Sequence, residues 1–462
     1  MLALALSFAL AGAALAADGL EGRVEQLERE LAALKAGRVM TAEEVEGVPL
    51  LPYWDNGLFF QSPDGAFTLN IGGRVFVDWA DLDADDEFYA IGESCECGDF
   101  SYREDFREWA GDQVELRSTR LHMAGTAYGV VGYRLEVEFD SSGDSCSCGY
   151  ARDDVSVTDA YMTVDELLPA GVIKIGHQKE PFSLEMVTSQ RFITFMERAL
   201  PVAYNAPGRN TGISVSDTAS DERVTWAAGV FVDGRRGTTE DGVALTGRAT
   251  WLPHYENDGR ELVHVGAAYT HRDPDEYETA LVLAEAHLFD PLCCGAWCID
   301  PVDDASTLGL EAATVFGPLS LQGEYFTGDV NGDKGASDID SDGYYVYASY
   351  FLTGENRVYN RSTGGFDRVT PNNNFDGDGG WGAWEVAVRY SEATSEKNSS
   401  YKEDVTLDGL TFGLNWYLNP NMRFMLNYVT QGIDKARSHE GERVFSLDGD
   451  AEAFMARFQV DF

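Results

Sequence analysis

The stretch FTLNIGGRVFVDW, residues 67–79, alternates apolar and polar side chains. Phe67, Leu69, Ile71, Val75, Val77 and Trp79 share one face of an extended chain, while Thr68, Asn70, Arg74 and Asp78 share the other. Successive side chains of a strand point to opposite sides, so this is a strand with one apolar and one wet face. The pattern recurs along the chain. Tyr133, Leu135, Val137 and Phe139 oppose Arg134, Glu136, Glu138 and Asp140; Val243, Leu245, Ala249 and Trp251 oppose Thr246, Arg248 and Thr250. Near the end, Leu410, Phe412, Leu414, Trp416 and Leu418 oppose Thr411, Asn415 and Tyr417, and Met422, Phe424, Leu426 and Tyr428 oppose Arg423 and Asn427.

A soluble sandwich or propeller also alternates. Two features favour a transmembrane barrel. Short turns such as Ala127-Tyr128-Gly129 and Asn419-Pro420 interleave with long acidic loops, the asymmetry between the periplasmic and external sides of an outer-membrane barrel. The chain also ends on an alternating strand, Phe454, Ala456, Phe458, Val460 and Phe462, whose terminal phenylalanine resembles the signal read by barrel-assembly machinery. The expected fold is all-β, a 16-stranded antiparallel barrel over residues 66–462 with a short N-terminal periplasmic helix. The strands are expected near 66–80, 113–126, 130–141, 154–165, 171–178, 209–217, 223–232, 242–252, 261–272, 306–316, 319–327, 343–353, 382–391, 408–418, 421–431 and 451–462. One connection on the short-turn side, 354–381, is unusually long.

The segment Met1 to Ala16 is almost wholly apolar and ends Ala14-Leu15-Ala16, which reads as a cleaved export signal. Residues 17–37 place Val24, Leu27, Leu31 and Leu34 at heptad spacing: a single amphipathic helix or a short coiled coil. Residues 38–65, broken by Pro49, Pro52 and Pro63, read as a linker. A net charge of -44 argues against nucleic acid as a partner; the expected partners are outer-membrane lipid, small inorganic anions and further copies of the chain. Seven cysteines fall in expected external loops, Cys95 and Cys97, Cys146 and Cys148, and Cys293, Cys294 and Cys298. In an exported chain they read as disulfide candidates with one left over.

No cofactor is required, although a calcium loop is one reading of Asp329 to Asp340. Asp329, Asn331, Asp333, Ser337 and Asp340 fall at loop positions 1, 3, 5, 9 and 12, but Lys334 stands where a glycine is wanted. A solvated acidic loop is the other reading. No Gly-x-Ser-x-Gly elbow, His-Glu-x-x-His pair or phosphate-cradling loop occurs, so an enzyme is not expected.

From about residue 53 to 462 the chain resembles the phosphate-selective porin O and P family. The resemblance is carried by FTLNIGGRVFVDW (67–79), KIGHQKEPFSLEMVTSQRFITFMERALP (174–201), YFLTGENRVYN (350–360), GAWEVAVRY (382–390) and FGLNWYLNP (412–420). It implies a trimer of sixteen-stranded barrels in the bacterial outer membrane, each narrowed by an inward-folded third loop, here 179–209. It also implies basic pore-lining residues at Arg74, Arg117, Arg120, Arg191, Arg198, Arg248 and Arg272, with Lys179 at the constriction. Ser118 stands where the family pattern has a second consecutive arginine, and only Lys174 and Lys179 occur between 130 and 330; both departures weigh against high-affinity phosphate binding.

Strand parity turns Arg74, Arg134, Arg248, Arg272, Arg389, Arg423 and Arg457 toward the lumen, together with Asp78, Glu136, Glu138, Glu324, Glu385 and Asp461. The loop 179–209 adds Lys179, Arg191, Arg198 and Arg209 against Glu180, Glu185 and Glu197. An anion-preferring pore for phosphate or other oxyanions is the favoured reading, because a guanidinium offers paired donors and keeps its charge. Weakly selective diffusion and a plugged structural barrel are the alternatives. The surplus of acid is expected in external segments such as Asp81 to Glu87 and Asp338 to Asp340.

Overall fold

The computed structural model describes residues 53–86 (except 55), 113–139, 155–165, 171–233, 242–273, 302–398 (except 334 and 336), 402–439 and 442–462. The expected signal segment, the helix 17–37, residues 38–52 of the linker and all seven cysteines lie outside these residues.

Two short strands, β1 (Tyr53–Trp54) and β2 (Leu58–Gln61), precede the barrel within the expected linker. The barrel strands follow: β3 (Thr68–Ala84), β4 (Gln113–Ala127), β5 (Val131–Phe139), β6 (Val155–Val164), β7 (Val172–Lys179), β8 (Arg209–Ala219), β9 (Val224–Asp233) and β10 (Gly242–Glu256). The second half is β11 (Glu261–Asp273), β12 (Val302–Phe316), β13 (Leu319–Gly332), β14 (Asp338–Phe351), β17 (Ala383–Asn398), β18 (Lys402–Asn419), β19 (Met422–His439) and β20 (Glu442–Asp461); β15 (Val358–Asn360) and β16 (Gly365–Asp367) form a separate hairpin between β14 and β17. These are the sixteen expected strands, each paired antiparallel with its neighbour in sequence. β20 closes the ring on β3, from Ala451 opposite Ala84 to Asp461 opposite Arg74. At the seam Phe462 donates to Gly73 O at 2.9 Å and accepts from Gly73 N at 2.6 Å, so the last residue completes the closure.

The barrel is inside-out relative to a soluble protein. Leu245 and Trp251 are about half exposed, at 52% and 53%, whereas Thr246 and Arg248 between them are buried. Ladder hydrogen bonds run between each strand and the next right round the ring, which lets a closed sheet stand in hydrocarbon. Trp384, Trp416, Phe424 and Phe458 stack in a run at the periplasmic ends of β17 to β20. Tyr325, Tyr390 and Tyr428 lie further along and donate to Asp342 (2.6 Å), Glu392 (2.8 Å) and Glu452 (2.7 Å). Aromatic rings at both borders mark the lipid band, and the carboxylates begin where the tyrosines end.

The acidic tips correct two expectations. β13 and β14 run to Gly332 and from Asp338, where they are expected to stop at 327 and start at 343. Asp and Asn are poor strand formers, yet cross-strand pairing extends the ladder through them. Asp329 therefore stands directly opposite Asp340, and the segment that reads as a solvated acidic loop or a calcium loop pairs as an antiparallel hairpin. Asn331 donates to Asp304 Oδ1 at 2.9 Å, and Gly332 N donates to Asp338 Oδ1 at 3.0 Å.

Two connections fold into the lumen. The external one, residues 180–208, carries α1 (Leu184–Val187) and α2 (Leu200–Asn205). The periplasmic one, residues 352–382, carries the β15–β16 hairpin. The wall makes room for the first: a Cβ added to Gly343 of β14 would lie 2.7 Å from Pro201 Cβ.

Candidate permeation path

The external inward loop divides the lumen unevenly. Its Phe195, Ala199 and Val202 pack with Phe326, Tyr345 and Tyr347 of the wall. Met196 and Leu200 pack with Val405, Met425, Val429 and Met455. Glu324 seats α1 by accepting from Ser183 Oγ (3.0 Å), Leu184 N (2.8 Å) and Glu185 N (2.9 Å). A carboxylate at the start of a helix meets its unpaired backbone donors, which fixes the loop's entry. The half of the lumen bounded by β3 to β10 stays open and holds a cavity of about 410 Å³.

Nine basic side chains line this cavity: Arg74, Arg120, Arg134, Lys174, Lys179, Arg191, Arg198, Arg209 and Arg248. The carboxylates among its lining residues are Glu136, Asp159 and Glu180. Five of the cations have carboxylate partners. Arg120 and Arg134 hold Glu136 at 2.9 and 2.5 Å, Arg209 holds Asp159 at 2.8 Å, Arg248 holds Glu311 at 2.7 Å, and Arg191 lies 3.7 Å from Asp461.

The other four are held by neutral groups. Arg74 donates to Ser118 Oγ (2.8 Å) and Gln190 Oε1 (3.1 Å). Lys179 donates to the carbonyls of Met186 (2.6 Å) and Thr188 (3.4 Å), and Arg198 donates to those of Glu185 and Thr188, both at 3.2 Å. Lys174 lies over the Tyr161 ring at 4.8 Å. Among the described residues no carboxylate is within ion-pair distance of these four. Neutral partners orient a cation without cancelling its charge. In a narrow water-filled passage with low-dielectric walls, such charges set the local potential.

Of the eight expected pore residues, Arg74, Arg120, Lys179, Arg191, Arg198 and Arg248 line the cavity, whereas Arg117 and Arg272 do not. Arg117 is held by Glu197 of the loop at 3.0 and 2.9 Å, and Arg272 by Glu180 at 2.5 Å. Arg117 also breaks strand parity. Phe76 pairs with Ser118 and Val77 with Leu116, so Arg117 is the extra residue of a β-bulge and points inward beside Ser118. Ser118 itself accepts from Arg74 and donates to Glu138 at 2.7 Å. Lys174 is a pore residue that its place in an alternating strand would have given.

The long connection 352–382 meets the cavity from the periplasmic side with Ser362 and Thr363. Arg248 donates to Thr363 O (3.2 Å) and Gly364 O (2.6 Å), and Tyr359 OH sits 2.7 Å from His264 Nδ1. Gly364 adopts φ +65, and a Cβ there would lie 2.6 Å from Thr225 Oγ1, so this turn suits glycine alone. At its far end Arg368 grips Asp461 at 2.6 and 3.0 Å. No regular pattern in 354–381 signals this inward fold.

Comparison with known proteins agrees with the barrel. The chain is 27% identical over 458 residues to Porin O of Pseudomonas aeruginosa, covering 92% of this chain and 95% of that protein. Among solved structures it resembles OmpT, an outer membrane protein of Vibrio cholerae in its trimer form, with TM-score 0.52, 13% identity, 86% of this chain and 100% of that one. It also resembles an anion-selective porin from Comamonas acidovorans, with TM-score 0.51, 12% identity and the same coverage. The family model described as phosphate-selective porin O and P matches residues 97–462. The chain belongs to the phosphate-selective porin O and P family and is a porin of the bacterial outer membrane.

Proposed function

We propose that this porin is an anion-preferring diffusion channel for phosphate and similar small oxyanions, working as a trimer. The observation that carries the reading is the group of four cations, Arg74, Lys174, Lys179 and Arg198, that line the cavity with only neutral partners. Arginine and lysine donors aimed at one passage attract an oxyanion and replace part of its hydration. The name of the family to which the chain belongs and the anion selectivity of the Comamonas porin point the same way. The trimer form of the Vibrio protein supports three copies, which the heptad-like segment 17–37 would help to join.

Weakly selective diffusion is favoured by one observation. Glu136, Asp159 and Glu180 share the cavity and offset Arg120, Arg134, Arg209 and Arg272. Reversal potential in a planar bilayer under a potassium chloride gradient separates the two. A potential on the chloride side, with conductance reduced by added phosphate, is expected. A potential near zero without block would leave weakly selective diffusion, and the absence of any current would mean a plugged barrel.

A further inference from the structure

The wall opposite the cations carries three more arginines that parity would assign to the same selectivity device, yet none of them lines the cavity. Each of four successive strands sends at least one donor to a backbone carbonyl of the inward loop. Arg389 of β17 donates to Glu197 O at 2.9 Å and Asn415 of β18 to Thr194 O at 2.8 Å. Arg423 of β19 donates to Ile193 O at 2.8 Å and Arg457 of β20 to Met196 O at 2.5 Å. All four side chains are buried. Residues 193–197 belong to no helix or strand, so their carbonyls lack the partners regular structure supplies. Wall side chains take that part.

We infer that Asn415, Arg423 and Arg457, with Arg389, are positioning residues: they set the width of the permeation path by clamping the loop backbone and never touch the permeant. The direction of their effect follows from the asymmetry of the lumen. The clamped segment is already packed against β17 to β20, and open volume exists on the β3–β10 side. A loosened loop can move only into the path. The clamp therefore holds the pore open, which rests on the channel reading but not on the ion it prefers.

Arg423 offers the cleanest test, because its other partners are Tyr417 OH (3.2 Å) and Gln459 Oε1 (3.0 Å), neither of which is charged. Single-channel recordings on the full-length trimer should compare the parent with Arg423→Gln and with Arg423→Gln/Asn415→Ala. The expected result is rapid partial closures, their ratio of blocked to open time rising about fivefold per hydrogen bond lost, at an unchanged reversal potential. Arg423→Lys, which keeps the charge and a donor, should restore most of the quiet open state, and it carries the test if the glutamine variant fails to fold. A steady conductance equal to the parent's in folded variants would overturn the clamp. So would a shifted reversal potential with steady conductance, since Arg423 would then act on the ions themselves. The parent's own reversal potential tests the anion reading separately.

Discussion

The two halves of this lumen use the same residue for opposite ends. On the β3–β10 side Arg74 is oriented by a serine and an amide and keeps its charge available to the passage. On the β17–β20 side Arg457 is enclosed by Asp78 at 2.8 and 2.7 Å, by Glu197 at 2.6 Å and by a loop carbonyl. Both are inward-facing arginines on neighbouring strands of the closure seam. What separates them is the charge of the partners: a hydroxyl and an amide in one case, two carboxylates in the other. Inward parity gives position, and only the partner gives role.

The largest break in that comparison is expected at Arg457. Arg457→Gln takes from buried Asp78 the arginine that grips both its oxygens and leaves Glu197 to Arg117; removing one member of such a group costs roughly 3–5 kcal/mol. The folded barrel should unfold at clearly lower temperature or urea, read from the shift of folded to unfolded bands in a detergent gel. A variant as stable as the parent would mean the cluster is not what closes β20 on β3. The counterpart on the open side is Arg74→Gln with Lys174→Gln. Stability should move little, because neither side chain anchors a buried carboxylate. The anion-to-cation permeability ratio should instead fall roughly tenfold, the weight of about 1.4 kcal/mol of lost attraction. An unchanged ratio would shift the selectivity to the remaining cations.

The sixteen strands were readable because hydrocarbon enforces strict alternation on one face. A polar side chain there has no remedy, so residues such as Leu245, Trp251 and Phe412 stay in phase. Above the tyrosine border that pressure stops. Asp329, Asp340 and Asp342 read as loop although the ladder runs through them. The bulge at Arg117 was hidden for a related reason: one extra residue resets parity without any mark in composition. The candidate site was readable as a set of basic positions. Its division into free and engaged cations was not, since Glu197 and Glu180 reach Arg117 and Arg272 from a loop far away in sequence. The inward turn of 352–382 depends on single contacts, Tyr359 to His264 and Arg248 to Gly364, that carry no period.

That connection supplies the next test. Tyr359→Phe removes the phenol that meets His264 Nδ1 and leaves the ring in its packing with Phe366. The expected loss is about 1 kcal/mol, one buried hydrogen bond, seen as faster protease cleavage within 352–382 while the barrel's own unfolding midpoint is barely moved. A midpoint lowered as far as in Arg457→Gln would show that the connection and the wall unfold as one unit.

The smallest effect is expected from the acidic border. A chain with net charge -44 and an anion path must keep most of its acid away from that path. Asp342 and Glu392 sit on the outer face of the wall, tied to Tyr325 and Tyr390 at the lipid border, whereas the cations line the inner face. Their repulsion reaches the passage only across the wall and through solution, where it is screened within about 10 Å at 0.1 M salt but within about 30 Å at 0.01 M. Asp342→Asn with Glu392→Gln should therefore raise chloride conductance slightly at 0.01 M and leave it unchanged at 1 M. Paired recordings at the two concentrations decide it. A gain that persists at 1 M would place these carboxylates beside the ions, and the boundary between an acidic outside and a basic inside would have to be drawn lower in the barrel.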